Sequence, residues 1–158
     1  MKIFFFQIRP GKNERLFKII KLKTMNDNID SNGDLLTDEL RTTFVGRYLR
    51  KFSIDELPQL FNVIVGDMSL IGPRPLLVEY LKHYTTEQKR RHEVLPGITG
   101  LAQIHGRNSI KFEERFKLDI WYVDNVSFSV DFKIFCKTVI KIIKSDNVLS
   151  QDPNNITD

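Results

Sequence analysis

The sequence predicts an α+β fold in which a small amino-terminal β-hairpin packs on several α-helices, with amphipathic helices at the carboxyl end. Two β-prone runs, residues 3–8 and 16–24, flank a turn that carries a Pro-Gly pair and therefore predict the hairpin. Helical spacing of the apolar residues dominates after residue 37. The chain has 158 residues, of which 41% are hydrophobic and 28% charged, so it can bury a core as one domain.

The middle of the chain divides at its polar and glycine-rich segments. Residues 26–36 are polar and predict a loop, after which Thr37 is expected to cap a helix that runs through Leu49. Ser53 is expected to begin the next helix, which ends near Gly66. The glycines and prolines of residues 66–75 predict an ordered turn in place of a regular element.

The carboxyl-terminal half is predicted to be mainly helical. Helices are expected over residues 76–83, 86–95, 111–124 and 129–144, with a loop and a short strand at 101–104 between the second and third. The last residues have no apolar period and predict disorder. The expected organisation is therefore one domain over residues 1–145 and a disordered tail over 146–158.

Composition and charge exclude several classes of protein. The single cysteine, Cys136, cannot form an internal disulfide, and the sequence shows neither a signal peptide nor an apolar run of about 18 residues. Composition alone therefore predicts a soluble protein. The net charge of +4 suits a phosphate-bearing partner. Nucleic-acid binding is one alternative, but the chain carries no motif for it, and we expect no nucleic-acid partner.

Asp55 and Glu56 are the first candidates for chemistry. Ser53 and Glu56 have the spacing of a capping box, in which each side chain bonds the other's backbone amide and the role is purely structural. The functional alternative uses the same helix start, because a carboxylate there can coordinate Mg²⁺ or attack phosphorus. Pro58 is expected to kink or loosen the helix. Both interpretations remain open on these residues alone.

Arg74 lies between Pro73 and Pro75, which stiffen the backbone and fix the direction of the guanidinium. An arginine held in this way can bind phosphate oxygens with two parallel hydrogen bonds, although a rigid turn with a surface arginine is an equal alternative. Arg107 follows a second glycine-rich segment and gives a weaker signal of the same kind. The histidines and Cys136 lack the spacing of metal ligands, which argues against a zinc site.

The last predicted helix combines many apolar residues with a stripe of lysines. This pattern is typical of a helix that lies in a membrane interface. A helix that faces the core and leaves its lysines in water is the alternative. The lysines are Lys133, Lys137, Lys141 and Lys144.

Five segments follow one another in order over about residues 7–145. They are Phe17-Lys-Ile-Ile-Lys-Leu-Lys-Thr-Met25, Ser53-Ile-Asp-Glu-Leu-Pro-Gln-Leu-Phe-Asn-Val63, Gly66-Asp-Met-Ser-Leu-Ile-Gly-Pro-Arg-Pro75, Pro96-Gly-Ile-Thr-Gly100 and Gly106-Arg-Asn108. Together they resemble the bacterial sugar transferases, the monotopic polyprenyl-phosphate phosphoglycosyl transferases. Five ordered segments are more specific than any one of them.

The resemblance implies transfer of a sugar-1-phosphate from a UDP-sugar to polyprenyl (undecaprenyl) phosphate, with release of UMP, as the first step of a surface polysaccharide or glycan. It implies that Asp55 is a nucleophile that forms a covalent aspartyl-phosphosugar and that Glu56 is a ligand of Mg²⁺. It places the protein at the cytoplasmic face of the bacterial inner membrane. The phosphate- and substrate-binding residues that it implies are Lys21, Pro73, Arg74, Pro75, Arg107 and Asp119.

The chain departs from the family at its amino terminus. Members carry a hydrophobic re-entrant helix with a Ser-Pro kink, whereas Met1 falls in the strand that is expected to follow this helix. Peripheral membrane association is therefore expected, and transfer to the lipid is the step most affected. The alternative is a non-catalytic remnant that acts as a membrane-surface or partner-binding module, against which the intact Asp55-Glu56 pair argues.

Overall fold

The computed structural model describes residues 3–106 and 110–144. The predicted hairpin is confirmed: strand β1 (Phe4–Pro10) pairs antiparallel with β2 (Leu16–Leu22), so that Phe4 faces Leu22 and Pro10 faces Leu16. A short 3₁₀ turn, Lys12–Glu14, connects them. The predicted α+β fold is also confirmed, because helices make up most of the rest.

The single helix predicted from Thr37 to Leu49 is wrong and is replaced by two. Helix α1 (Asp38–Arg41) is one turn long, and α2 (Phe44–Lys51) follows it. Thr43 separates them because its backbone is extended and its side-chain oxygen accepts a hydrogen bond from the Gly46 amide, which caps α2. The loop predicted over residues 26–36 contains only one isolated bridge, between Ile29 and Leu35.

Of the two interpretations left open for Ser53 and Glu56, the capping box is wrong. Ser53 has a left-handed backbone with a φ of 55°, and its side chain makes no capping hydrogen bond. A 3₁₀ turn, Ile54–Glu56, comes first, and helix α3 (Gln59–Ile64) begins after it. Pro58 lies immediately before α3. A proline is tolerated at this position because the N–H that it lacks is not needed for a hydrogen bond within the helix. Gly66, with a φ of 85°, follows the end of α3 as predicted.

The structure differs from the predictions for residues 66–75, expected to form a turn without a regular element, and for residues 101–104, expected to form a strand. Strand β3 (Ser69–Ile71) pairs with β4 (Gly97–Thr99), and the residues predicted as a strand form helix α5 (Leu101–His105). The pairing needs glycine: a Cβ added to Gly97 would lie 2.1 Å from the Gly72 nitrogen. A contact this close between two backbones was not visible in either segment alone.

Of the remaining predicted helices, the two long ones are confirmed, whereas those over residues 76–83 and 86–95 are shorter and largely 3₁₀. A 3₁₀ segment (Val78–His83) precedes α4 (Thr86–Lys89), which has the capping box that Ser53 lacks, here between Thr85 and Gln88. A second 3₁₀ turn, Arg90–His92, leads to β4. The two long helices, α6 (Phe112–Asp124) and α7 (Phe128–Lys144), are confirmed. The tail predicted over 146–158 lies outside the described residues.

The core consists of three small clusters of buried apolar side chains. Ile71 on β3 belongs to the cluster formed with α5, α6 and α7, while Met68, just before β3, packs on the hairpin. Within residues 3–106 and 110–144, we find no helix both long enough and apolar enough to cross a membrane. The clusters are Ile71, Ile104, Tyr122 and Ile134; Phe17, Ile19 and Met68; and Leu76, Tyr84 and Phe116.

Candidate active site

The adjacent carboxylates Asp55 and Glu56 lie in the single 3₁₀ turn between α2 and α3. Neighbouring side chains in such a turn diverge by about a third of a revolution, so the two carboxylates face different surroundings. The left-handed backbone at Ser53 starts the turn, and Pro58 ends it before α3 begins. The local sequence thus gives the two acids separate environments.

Glu56 holds two cations from distant parts of the chain. Its Oε1 accepts hydrogen bonds from Lys21 Nζ at 3.0 Å and from an Arg74 terminal nitrogen at 2.5 Å, and its Oε2 accepts one from the other Arg74 nitrogen at 3.3 Å. Burial by itself would raise the pKa of Glu56, but the charges of Arg74 and Lys21 lower it well below its usual range. Glu56 is therefore ionised at any physiological pH.

Asp55 has the opposite electrostatic setting. Its carboxylate makes no ion pair with any residue in the described part of the chain. Burial, and then the negative charge of Glu56, raise its pKa above the ordinary value, while Lys21, Arg50 and Arg74 partly offset this effect. The result is a carboxylate that is more basic than its neighbour and forms no ion pair with residues 3–106 and 110–144.

Lys21 reaches the site because α3 is tied to the hairpin. Asn62, which is 2% exposed, accepts a hydrogen bond from the Ile20 amide at 3.2 Å and donates one to the Lys18 carbonyl at 2.9 Å. These two bonds fix α3 across β2. Lys21 then lies beside the 3₁₀ turn that carries Glu56.

The loop that carries Arg74 is held from behind by a buried ion pair. Arg91 donates to the Arg74 carbonyl at 2.7 Å and pairs with Asp119 on α6 at 2.8 Å, with side chains 1% and 2% exposed. Arg91 also donates to the Tyr84 hydroxyl at 3.1 Å. Asp119 is thus part of the support of Arg74, and its carboxylate contacts no other predicted site residue that the structure describes.

The structure brings most of the predicted site residues together. Lys21, Glu56 and Arg74 are in direct contact, Asp55 adjoins them, and Pro73 and Pro75 flank Arg74. Arg107 lies outside the described residues. Sequence reasoning gave no site role to Arg50, whose charge acts on Asp55, or to Arg91, which donates to the Arg74 carbonyl.

Helix α3 exposes apolar side chains and buries polar ones. This pattern is the opposite of the one in a typical surface helix of a globular protein, which buries its apolar face. Gln59 is 1% exposed, whereas Phe61 and Ile64 are 57% and 81% exposed. Helix α7 has a similar exposed stripe at spacings of three and four residues. Its members are Phe128, Phe132, Phe135, Val139 and Ile143.

The carboxylates of this turn suit a magnesium ion by residue type. Mg²⁺ prefers oxygen ligands and usually combines one or two carboxylates with substrate phosphates. Oε2 of Glu56 accepts a single hydrogen bond from the described residues and retains capacity for a cation. No cluster of three or more potential metal ligands occurs in residues 3–106 and 110–144. One or two carboxylates here could hold Mg²⁺ together with water and substrate oxygens.

Comparison with known proteins identifies the class to which this fold and site belong. The chain matches the family described as bacterial sugar transferase over residues 1–145. It is 57% identical over 155 residues to an uncharacterized sugar transferase, EpsL, of Bacillus subtilis, covering 98% of this chain and 76% of that protein. We conclude that the chain belongs to the bacterial sugar transferase family, a family of enzymes.

Two further relatives have more specific names. The chain is 44% identical to an undecaprenyl-phosphate galactose phosphotransferase of Salmonella typhimurium, over 87% of this chain and 33% of that protein. It is 43% identical to the galactosyl transferase CpsE of Streptococcus agalactiae, over 85% of this chain and 33% of that protein. The chain therefore spans about a third of the length of each of these relatives.

Proposed function

We propose that the chain transfers a sugar-1-phosphate from a UDP-sugar to a polyprenyl phosphate through a covalent intermediate on Asp55. The observation that carries the proposal is the contrast between the two adjacent carboxylates. Glu56 is held by Lys21 and Arg74, whereas Asp55 pairs with no cation among the described residues and is the more basic acid. The name of the Salmonella relative supports the acceptor, and the family resemblance supports the UDP-sugar donor.

In the first step, an Asp55 carboxylate oxygen attacks the β-phosphorus of the UDP-sugar. A new bond joins this oxygen to phosphorus, the bond from phosphorus to the bridging oxygen breaks, and UMP leaves with that electron pair. Lys21 and Arg74 contribute positive charge where the phosphate oxygens gather negative charge. The sugar phosphate remains on Asp55 as a mixed anhydride.

In the second step, an oxygen of the polyprenyl phosphate attacks the same phosphorus. The phosphorus–Asp55 bond breaks, the carboxylate is restored, and a polyprenyl diphosphate sugar forms. Bound Mg²⁺, held by Glu56 together with substrate oxygens, would add charge neutralisation at the phosphates. Asp55 acts as nucleophile and as leaving group in turn.

The exposed apolar faces of α3 and α7 support a location at a membrane surface, where the lipid acceptor resides. α3 begins only three residues after Glu56, so a membrane that covers α3 would lie close to the carboxylates. Within the bacterial cell this proposal corresponds to the cytoplasmic face of the inner membrane. Initiation of a surface polysaccharide or glycan would follow from such a product.

Asp55→Asn tests the proposal. Incubated with a panel of UDP-sugars, the native chain is expected to release UMP and to gain the mass of one sugar phosphate, measured by intact-protein mass spectrometry. Asp55→Asn should show neither, whereas Asp34→Asn, a matched change in the exposed loop, should behave as the native chain. Adduct formation by Asp55→Asn would contradict the assignment of the nucleophile.

The second candidate function is a non-catalytic module that binds a membrane surface or a partner protein. The exposed apolar residues of α3 and α7 favour it as much as they favour a membrane enzyme. The same mass measurement distinguishes the two, because a module without turnover forms no adduct with any UDP-sugar. Vesicle binding in the absence of an adduct would favour the module.

A further inference from the structure

A small cavity lies next to the Lys21–Glu56–Arg74 cluster, on the side of the hairpin. Its volume is about 30 Å³, which corresponds to one or two water-sized oxygens and is too small for a sugar or a base. Its walls come from β1, β2, α3 and the Arg74 loop. The residues that line it are Arg9, Ile19, Lys21, Gln59, Arg74 and Pro75.

Three cations line this cavity, and no carboxylate of the described residues is part of its lining. Lys21 and Arg74 share the single carboxylate of Glu56. Arg9 makes no ion pair with any described residue, and its hydrogen bond, at 2.6 Å, goes to the neutral amide of Gln7. Burial, and then the charge of Arg74, lower the pKa of Arg9 to about 10, and the charge of Glu79 partly offsets this effect.

Gln59 adds a hydrogen-bond donor at the same cavity. The residue is 1% exposed, and its Nε2 has no hydrogen-bond partner in the described part of the chain. A buried donor left without an acceptor costs about 1–3 kcal/mol, so such groups are rare unless a ligand satisfies them. An oxygen acceptor inside the cavity would remove this cost.

We infer that Arg9 and Gln59, together with Arg74, form an anion subsite that takes the oxygens of a substrate phosphate. This subsite shares Arg74 with the pair of cations on Glu56 and adds Arg9 and Gln59 to it. Its identification with a substrate phosphate rests on the proposed function. Two phosphates of the proposed reaction have the required chemistry: the diphosphate of the UDP-sugar and the phosphate of the polyprenyl acceptor. Arg9 supplies charge and a planar pair of donors, and Gln59 supplies a neutral donor.

Arg9→Gln tests the subsite, with Arg15→Gln as its matched control. Arg15 lies on the same hairpin, is exposed and does not line the cavity. Binding of UDP in solution and of a polyprenyl phosphate in detergent micelles is measured for the native chain and both variants by titration calorimetry. Loss of a charge-assisted hydrogen bond should weaken one of the two ligands by about tenfold or more in Arg9→Gln only.

The two ligands distinguish the source of the phosphate. Weaker UDP binding assigns the subsite to the donor, and weaker polyprenyl phosphate binding assigns it to the acceptor. Gln59→Leu, verified to be folded by its circular dichroism spectrum, should weaken the same ligand as Arg9→Gln. If Arg9→Gln binds both ligands as the native chain does, the subsite is overturned. If Arg9→Gln weakens one ligand but the native chain forms no adduct with any UDP-sugar, the subsite stands and only the proposed function is overturned.

Discussion

At the scale of single residues, the informative feature is that two adjacent carboxylates have opposite environments. The two cations on Glu56 lower its pKa and commit it to electrostatic and binding roles. Burial beside this negative charge raises the pKa of Asp55 and makes its oxygens better nucleophiles once they are ionised. The two adjacent acids therefore differ in their proposed roles because their side chains differ in their contacts.

Arg50→Gln should shift the pH dependence of UMP release. The charge of Arg50 lowers the pKa of Asp55, so its removal raises this pKa and requires a higher pH to ionise the nucleophile. Since only the ionised form attacks, the rate falls as the pH drops through the pKa. The acid limb of the rate profile, measured in single-turnover experiments, should therefore move to higher pH, with the rate recovering at alkaline pH.

Arg47→Gln is the control for this shift. Arg47 lies on the same helix α2, is exposed, and does not act on Asp55. Its rate profile should coincide with that of the native chain. A uniform loss of rate at every pH in Arg50→Gln would contradict the electrostatic role, because it would indicate lost substrate binding instead.

At the scale of elements, sequence patterns predicted the long pieces and failed at the short ones. The hairpin, α6 and α7 each contain enough apolar residues for a period to be recognised. Residues 101–104 are four residues long and fit a strand as well as a helix, and the strand in fact forms earlier, at Gly97–Thr99. Its formation depends on the close backbone contact with Gly72, which no local pattern reveals.

The same limit applies to the candidate site. Motifs indicated four of its residues: Lys21, Asp55, Glu56 and Arg74. The structure adds the distances from Glu56 to Lys21 and to Arg74. Gln59 and Arg91 were not indicated, because their roles arise from burial and from partners distant in sequence. The capping interaction between Ser53 and Glu56 does not form because Glu56 binds two cations that are distant in sequence.

Asp119→Asn should destabilise the protein and impair Arg74. The change leaves the buried charge of Arg91 without its counter-ion, which typically costs about 3–5 kcal/mol. Arg91 also donates to the Arg74 carbonyl, so the rate of UMP release should fall beyond what the folded fraction explains. Urea unfolding and single-turnover rates measure the two effects.

Asp124→Asn is the matched comparison on helix α6. Asp124 also pairs with an arginine, Arg90, but its side chain is 48% exposed. Exposed pairs contribute about 0–1 kcal/mol, so this variant should unfold almost as the native chain does. Equal losses in the two variants would show that the buried pair does not support the Arg74 loop.

At the scale of the whole molecule, much of the apolar surface lies outside the core. The three buried clusters are small, and much of the apolar surface of α3 and α7 faces outward. Apolar surface in contiguous stripes marks a site of association with lipid or protein. In α3 the polar face is buried because Gln59 lines the cavity and Asn62 holds the hairpin, so the outward face is left to the apolar residues.

Ile64→Glu therefore tests how the whole molecule meets a membrane. Ile64 is the most exposed apolar residue of α3, and its insertion into lipid would contribute about 1.5–3 kcal/mol, or roughly tenfold or more in affinity. Binding to vesicles of phosphatidylglycerol and phosphatidylethanolamine, measured by flotation, should fall by that factor. Adduct formation with a soluble UDP-sugar should persist, because the Ile64 side chain is exposed and makes none of the contacts that hold Glu56. Leu35→Glu is the matched control, since it makes the same kind of change at an exposed loop residue, and it should bind vesicles as the native chain does. An equal loss of binding in Leu35→Glu would show that the added charge causes the effect and that α3 is not the membrane-facing element.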